Sequence, residues 1–353
     1  MYQLPKEFQW IYRLKKYEGN PILRPQGEIA KDNIFNPAAA VLDDKVHLIC
    51  RAVNLNDIPK GGQWSTSAFV WAHSDDGIHF EVEDKPFLKP DKDSPYHGGF
   101  QDPRLVWIPE EETWVLTYTG SYGFGKGGSP ALIALSKDLE NWEFLGETFP
   151  ARAVCIIPQK INGKYYAYYG VGEIGLSWSY DLREWHIENE QVLIPRYDDE
   201  TKFDAWLCEG VASPSISDNG IFFLYNAKCS TERRKQYEYS SWMSNTGVGG
   251  YAMGWALFDR NDPSKLIARS DEPVLVPELH FECYGLIEYT IFASGLVNYH
   301  GKHHLYYGCA DTRIGVAIEE EGGLNNKTRL VCTGISKRVF IINYCFKNLA
   351  ALG

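Results

Sequence analysis

The sequence lacks the patterns that mark several common chemistries. Its eight cysteines (Cys50, Cys155, Cys208, Cys229, Cys283, Cys309, Cys332 and Cys345) are scattered, with no CxxC pair. That spacing offers neither a zinc site nor a compact disulfide framework, so we expect free thiols, a reducing compartment and a cytoplasmic location. There is no HExxH, no GxSxG and no P-loop, and we expect no metal and no other cofactor. His303 and His304 are adjacent and would alternate faces on a strand, which makes them poor joint ligands. The glycine-rich run from Gly123 to Gly128 lacks the strand-to-helix setting of a phosphate cradle. Basic charge is in deficit: 35 Lys and Arg against 46 Asp and Glu give a net charge of −11. A nucleic-acid partner would need a basic surface. No apolar run approaches a membrane span, and the first residues carry no apolar signal-peptide core. Aromatics, by contrast, are abundant at 14% of residues, with 11 Trp and 22 Tyr. Such side chains suit β-strands and also clefts where sugars stack on ring faces.

A strand–turn–strand pattern recurs five times. The first copy runs from Asn36-Pro37-Ala38 through Asp43-Asp44 to His47-Leu48-Ile49. The second runs from Asp102-Pro103 through Glu110-Glu111-Glu112 to Trp114 and Tyr118. The third runs from Pro158 through Asn162-Gly163 to Tyr165 and Tyr168. The fourth runs from Pro214 through Asp218-Asn219-Gly220 to Phe222 and Tyr225, and the fifth from Ser294-Gly295 through His300-Gly301 to His304 and Tyr307. Asn-Gly and related pairs between β-formers signal hairpins. A second signature, Ser-x-Asp-(Gly/Leu)-x-x-(Phe/Trp), begins at Ser74, Ser136 and Ser179. Its Ser and Asp suit a turn that bonds its own backbone. A third, (Val/Ile/Phe)-Leu-x-Pro, ends at Pro25, Pro90, Pro195 and Pro277, where proline fits an edge strand. Together these strands make a four-stranded blade. The repetition predicts an all-β, five-bladed β-propeller over residues 1–321. Residues 231–250 read as an insertion in the fourth blade and 322–353 as a C-terminal tail without assignment.

In such a fold, polar residues at the starts of the innermost strands converge at one end of a central channel. Asp102, in Gln101-Asp102-Pro103-Arg104, opens the second inner strand, and Glu209, in Cys208-Glu209-Gly210, opens the fourth. Asp311 follows the fifth hairpin, and Glu278 and Glu282 precede the fifth inner strand. Taken singly, each carboxylate also reads as a turn cap. Two carboxylates flanking a glycosidic bond can cleave it. One protonates the leaving oxygen and the other activates water, with roughly 6.5–9.5 Å between them in an inverting enzyme. Pro103 keeps Asp102 out of the helical region. Strand alternation would put Arg104 on the same face, where it would lower the pKa of Asp102.

Asn36-Pro37-Ala38, Arg51-Ala52, Gln101-Asp102-Pro103-Arg104, the stretch from Pro158 to Tyr165, and Leu305-Tyr306-Tyr307-Gly308-Cys309-Ala310-Asp311 carry a resemblance. On these motifs the chain resembles glycoside hydrolase family 130 over residues 15–320. The resemblance implies a five-bladed propeller acting on β-mannosides, in a family with inverting phosphorylases and inverting hydrolases. It implies Asp102 as the acid, protonating the leaving oxygen through a sugar hydroxyl. Asn36, Arg51, Arg104, Asn226 and Asp311 would bind the substrate. The Lys, His and Arg that bind phosphate in the phosphorylases fall on Cys208, Asn226 and Gly170, none of which is cationic. Glu209 stands where the hydrolase branch places a candidate base, with Glu278 or Glu282 as its second carboxylate. Two departures are Gln101, where the family usually has Glu, and the insertion. We therefore expect an inverting, exo-acting hydrolase of β-mannosides, on β-1,2-linked manno-oligosaccharides. The expected partner is the oligosaccharide, with no nucleic acid and no membrane, and a homo-oligomer is compatible with the chain. The alternatives are a phosphorylase holding phosphate by another set, Lys126, Arg152 or Lys228, and a non-catalytic sugar-binding propeller.

Overall fold

The structure is a computed structural model that describes residues 2–57, 66–123, 129–229 and 250–321. Lys126, nearly all of the expected 231–250 insertion, and the 322–353 tail lie outside the described residues. Strands dominate, and the helical pieces among the described residues are short: Lys6–Arg13, Pro109–Glu111 and His280–Cys283.

The strands form consecutive antiparallel meanders, and each copy of the sequence repeat falls within one of them. In the first, Asn33–Leu42, Lys45–Val53 and Ser67–Ser74 pair in order, with Glu81–Val82 outside. In the second, Gly99–Ile108, Thr113–Ser121, Ala131–Ser136 and Trp142–Phe149 pair in order. The third runs through Cys155–Ile156, Tyr165–Tyr169, Ile174–Ser179 and His186–Leu193. The fourth contains Leu207–Gly210, Gly220–Lys228, Tyr251–Phe258 and Leu266–Arg269, with Ser215–Ser217 beside the second of these. The fifth contains Ile291–Tyr299, Lys302–Cys309 and Arg313–Glu319, and its outermost strand is the N-terminal Leu14–Lys16. Among the described residues the hydrogen-bonded sheets number four, not five, because one parallel pair, Ser67 with Gly99, joins the first two meanders. Val171–Gly172 also leaves the third meander to pair with Leu207–Gly210 of the fourth. Among the described residues, strand pairing does not close these sheets on one another.

The turn signatures work as their residues require. Ser74 Oγ accepts from Gly77 N at 2.9 Å, and Asp76 Oδ1 accepts from the N–H groups of Ile78 and His79, each at 2.8 Å. Ser136 with Asp138 and Ser179 with Asp181 repeat this geometry. The residue after each Asp, Gly77, Leu139 or Leu182, has a left-handed φ of 74°, 63° or 66°. Apolar layers fill the spaces between meanders. Tyr168 of the third lies 4.7 Å, centroid to centroid, from both Phe223 and Phe258 of the fourth. Cys50, Cys155, Cys208, Cys283 and Cys309 are free and buried.

Candidate active site

The first two inner strands break register at the same place, between Phe35 and Ala38 and between Gln101 and Arg104. At these bulges Asn36 and Asp102 take left-handed φ values of 45° and 50°. Asn and Asp tolerate that region better than most residues, and the proline that follows each has no N–H to lose from the ladder. Such backbone is costly, about 1–3 kcal/mol per residue, and tends to mark functional sites. Here it brings the two side chains together across the meanders. Asn36 Nδ2 donates to Asp102 Oδ1 at 2.8 Å, and Arg51 donates to the same oxygen at 3.2 Å. Arg152, from the start of the third meander, pairs with Asp102 Oδ2. Burial works to raise the pKa of Asp102, but Arg152 and Arg51, with the Asn36 hydrogen bond, prevail and hold its carboxyl well below the usual range.

Arg104 lowers the pKa of the Asp102 carboxyl as expected, behind Arg152, Arg51 and Asn36, but its hydrogen bond goes to the backbone and not to the carboxylate. The bulge shifts the register between them, so Arg104 donates to the backbone oxygen of Asp102 at 2.9 Å. Its Nε and second terminal nitrogen both donate to Gly210 O, at 3.1 and 2.6 Å. Arg104 thus ties the second inner strand to the fourth. The neighbouring Glu209 is 2% exposed, and its Oε1 has no hydrogen-bond partner among the described residues. The nearest cationic nitrogens are those of Arg104 at 3.7 Å and Arg152 Nε at 3.8 Å, beyond hydrogen-bond reach. Burial pushes the Glu209 carboxyl up, against the pull of Arg152 and Arg104. Arg152 Nε is itself buried without a hydrogen-bond partner among the described residues.

Asp311 belongs to the same charged group. Burial pushes its carboxyl up to about 7, opposed by Arg51 and assisted by Asp102. Lys228, opposite Leu207 in the fourth meander, feels Glu209 and Asp311, and burial lowers its pKa. Its ammonium lies 4.3 Å from the centroid of the Tyr251 ring. Arg152, Lys228 and Tyr251 are the components missing from the main site assignment made on the sequence. No sequence signature marks Arg152, which precedes Cys155–Ile156 and reaches Asp102 from another meander. The position expected to carry an arginine, Gly170, instead donates its N–H to Arg152 O at 2.8 Å.

Three expected site residues are placed elsewhere. Glu282 is fully buried at the outer edge of the fifth meander, where Lys16 donates to it at 2.7 Å and Tyr307 at 2.9 Å. The N–H groups of Glu278 and Leu279 donate to it as well, at 2.8 and 3.0 Å. Glu278 points to Lys16 at 3.1 Å and is half-exposed. Neither carboxylate is brought to Asp102. Asn226 gives its whole amide to Ala293, donating to its oxygen at 2.8 Å and accepting from its nitrogen at 2.9 Å. It links the fourth and fifth meanders.

A family model described as Glyco_hydro_130, beta-1,4-mannooligosaccharide phosphorylase, matches residues 5–327. A 1,2-beta-oligomannan phosphorylase of Thermoanaerobacter sp. (strain X514) is 32% identical, covering 88% of this chain and 98% of the relative. A beta-1,2-mannobiose phosphorylase of the same strain is also 32% identical, with the same coverage. A solved structure described as "The GH130 family of mannoside phosphorylases contains glycoside hydrolases that target beta-1,2 mannosidic linkages in Candida mannan" superposes with a TM-score of 0.76. It is 30% identical and covers 86% of this chain and 93% of that one.

Proposed function

Because the chain belongs to glycoside hydrolase family 130, we propose that it is an inverting phosphorylase of β-1,2-linked mannosides. The five meanders are read as blades whose inner strands face one axis, an arrangement that would gather Asn36, Asp102, Arg152, Glu209 and Asp311 from different blades. The observation that carries the reading is Arg152. Its guanidinium pairs with Asp102, stands 3.8 Å from Glu209 and keeps a buried Nε without a hydrogen-bond partner among the described residues. Arginine with a free donor suits a phosphate oxygen, and Lys228 adds a second cation across the site. The sequence favoured water because residues 170, 208 and 226 carry no cation. Arg152 and Lys228 supply that charge from other positions, and the named relatives are phosphorylases.

The chemistry follows from the charges. A phosphate oxygen attacks the anomeric carbon as the glycosidic C–O bond breaks. The leaving oxygen receives a proton from Asp102, relayed by a sugar hydroxyl. Inversion turns the β-mannoside into α-mannose 1-phosphate. Arg152 and Arg51 hold Asp102 ionised. Phosphate at Arg152 would draw off that guanidinium and place negative charge nearby, and both effects raise the proton affinity of Asp102. Binding of the co-substrate therefore arms the acid. In this reading Asn36, Arg51 and Asp311 would hold the mannose hydroxyls. Hydrolysis is the second reading. It is favoured by Glu209, a buried carboxylate with a raised pKa and a free oxygen, features suited to taking a proton from water.

The experiment is turnover of β-1,2-mannobiose with and without inorganic phosphate, with products resolved by mass spectrometry and anomeric NMR. We expect α-mannose 1-phosphate and no turnover without phosphate. Free mannose at a rate independent of phosphate would establish hydrolysis instead, and binding without any turnover would leave a sugar-binding protein.

A further inference from the structure

The region between the third and fourth meanders carries large side chains that the fold leaves uncovered. Trp206 is 56% exposed, Tyr197 53% and Val171 39%. They adjoin the charged cluster. Val171 pairs in register with Glu209, and Trp206 stands three residues before Glu209 and donates its N–H to Lys228 O at 3.0 Å. The segments bearing Tyr197 and Trp206 are fixed to each other. Arg196 Nε donates to the fully buried Asp204 at 2.6 Å, and Arg196 N donates to Asp204 O at 3.0 Å. Tyr225 closes the mount by donating to the other Asp204 oxygen at 2.9 Å. A buried ion pair therefore ties together the backbone segments of two exposed rings, Tyr197 one residue from Arg196 and Trp206 two residues from Asp204. Glu173, which accepts from Tyr197 at 3.3 Å and also from Gln191, adds a polar edge.

We propose that Trp206 and Tyr197 form a stacking subsite for mannosyl residues beyond the scissile linkage, making Trp206 a determinant of chain length. The inference rests on the mannoside reading above. A pyranose ring offers an apolar C–H face and a rim of hydroxyls. Aromatic faces on an anchored backbone beside a carboxylate match both. Continuity with Glu209 and Lys228 favours this occupant, since an oligosaccharide seated at Asp102 must leave the site across one of its rims.

The test compares wild type with Trp206→Ala, and with Tyr197→Ala as a second variant, on β-1,2-mannobiose and β-1,2-mannotetraose at saturating phosphate. Thermal melting establishes that each variant is folded. We expect the ratio of kcat/KM, tetraose over biose, to fall at least tenfold. An unchanged ratio overturns the inference. So does an unchanged ratio accompanied by a smaller assembly, which would assign the patch to a second copy of the chain. Calorimetric titration of Asp102→Asn and of Asp102→Asn/Trp206→Ala with the tetraose reads the subsite without turnover. Tenfold weaker binding in the double variant supports the subsite even if wild type cleaves no mannoside. Equal binding, or none by either protein, overturns it.

Discussion

At the scale of single residues, the site is defined by carboxylates driven in opposite directions. Asp102 and Asp311 are both in low-dielectric surroundings, yet Asp102 is held ionised by Arg152 and Arg51 while Asp311 rises to about 7. The difference is contact: Asp102 has paired donors on both oxygens, and Asp311 accepts no hydrogen bond among the described residues. The raised value has a sign that can be measured. A carboxyl with a higher pKa when folded binds more protons folded than unfolded, so it destabilises the protein increasingly as pH climbs from about 4 towards 7. Asp311→Asn removes the burden without changing shape. The gain in Tm of Asp311→Asn over wild type should be small at pH 4 and larger at pH 8. Equal gains at the two pH values would mean that Asp311 ionises in the fold as it does in the unfolded chain. Asp102 could be singled out in the sequence because Asp-Pro announces unusual backbone. Its counter-ion Arg152 has no local pattern, since the pairing joins residues from different meanders.

At the scale of elements, legibility follows the range of the hydrogen bonds. The Ser-x-Asp turns and the Asn162-Gly163 hairpin are closed by bonds within a few residues, and their sequence signatures describe them fully. Register bulges were not legible. Their effect is to turn Arg104 from a hydrogen-bond partner of the Asp102 carboxylate into a tie to Gly210. Asn226 teaches the same lesson. Family position suggested a ligand contact, whereas the structure uses its amide as a two-way clamp on Ala293. Replacing it with Leu leaves a buried N–H and a buried carbonyl without partners, at about 1–3 kcal/mol each. Asn226→Leu should therefore lose roughly 2–6 kcal/mol in urea unfolding. A loss under 1 kcal/mol combined with a raised KM for the mannoside would return Asn226 to the substrate.

At the scale of the whole molecule, the start of the chain is bound across its last two meanders. Phe8 stacks on Phe222 at 4.7 Å and Trp10 on His303 at 3.9 Å, and Leu14–Lys16 adds the outermost strand beside Arg313–Glu319. Residues 1–16 belong to no repeat copy, so this link was invisible to an analysis based on repetition. That omission also explains why Glu282 looked catalytic: its partner is Lys16, 266 residues away in sequence. A buried carboxylate with four donors around it stabilises the junction, and neutralising one side of a buried pair typically costs about 3–5 kcal/mol. Glu282→Gln should show a loss of that order in denaturant unfolding, while Glu278→Gln, at the solvent, should stay within about 0.5 kcal/mol of wild type. Activity per folded molecule separates this role from catalysis. If Glu282 only fastens the N-terminal strand, kcat of Glu282→Gln measured well below its melting temperature stays near wild type. A hundredfold fall in kcat at undiminished stability would instead make Glu282 part of the reaction and require the fifth meander to move its carboxylate inward during turnover.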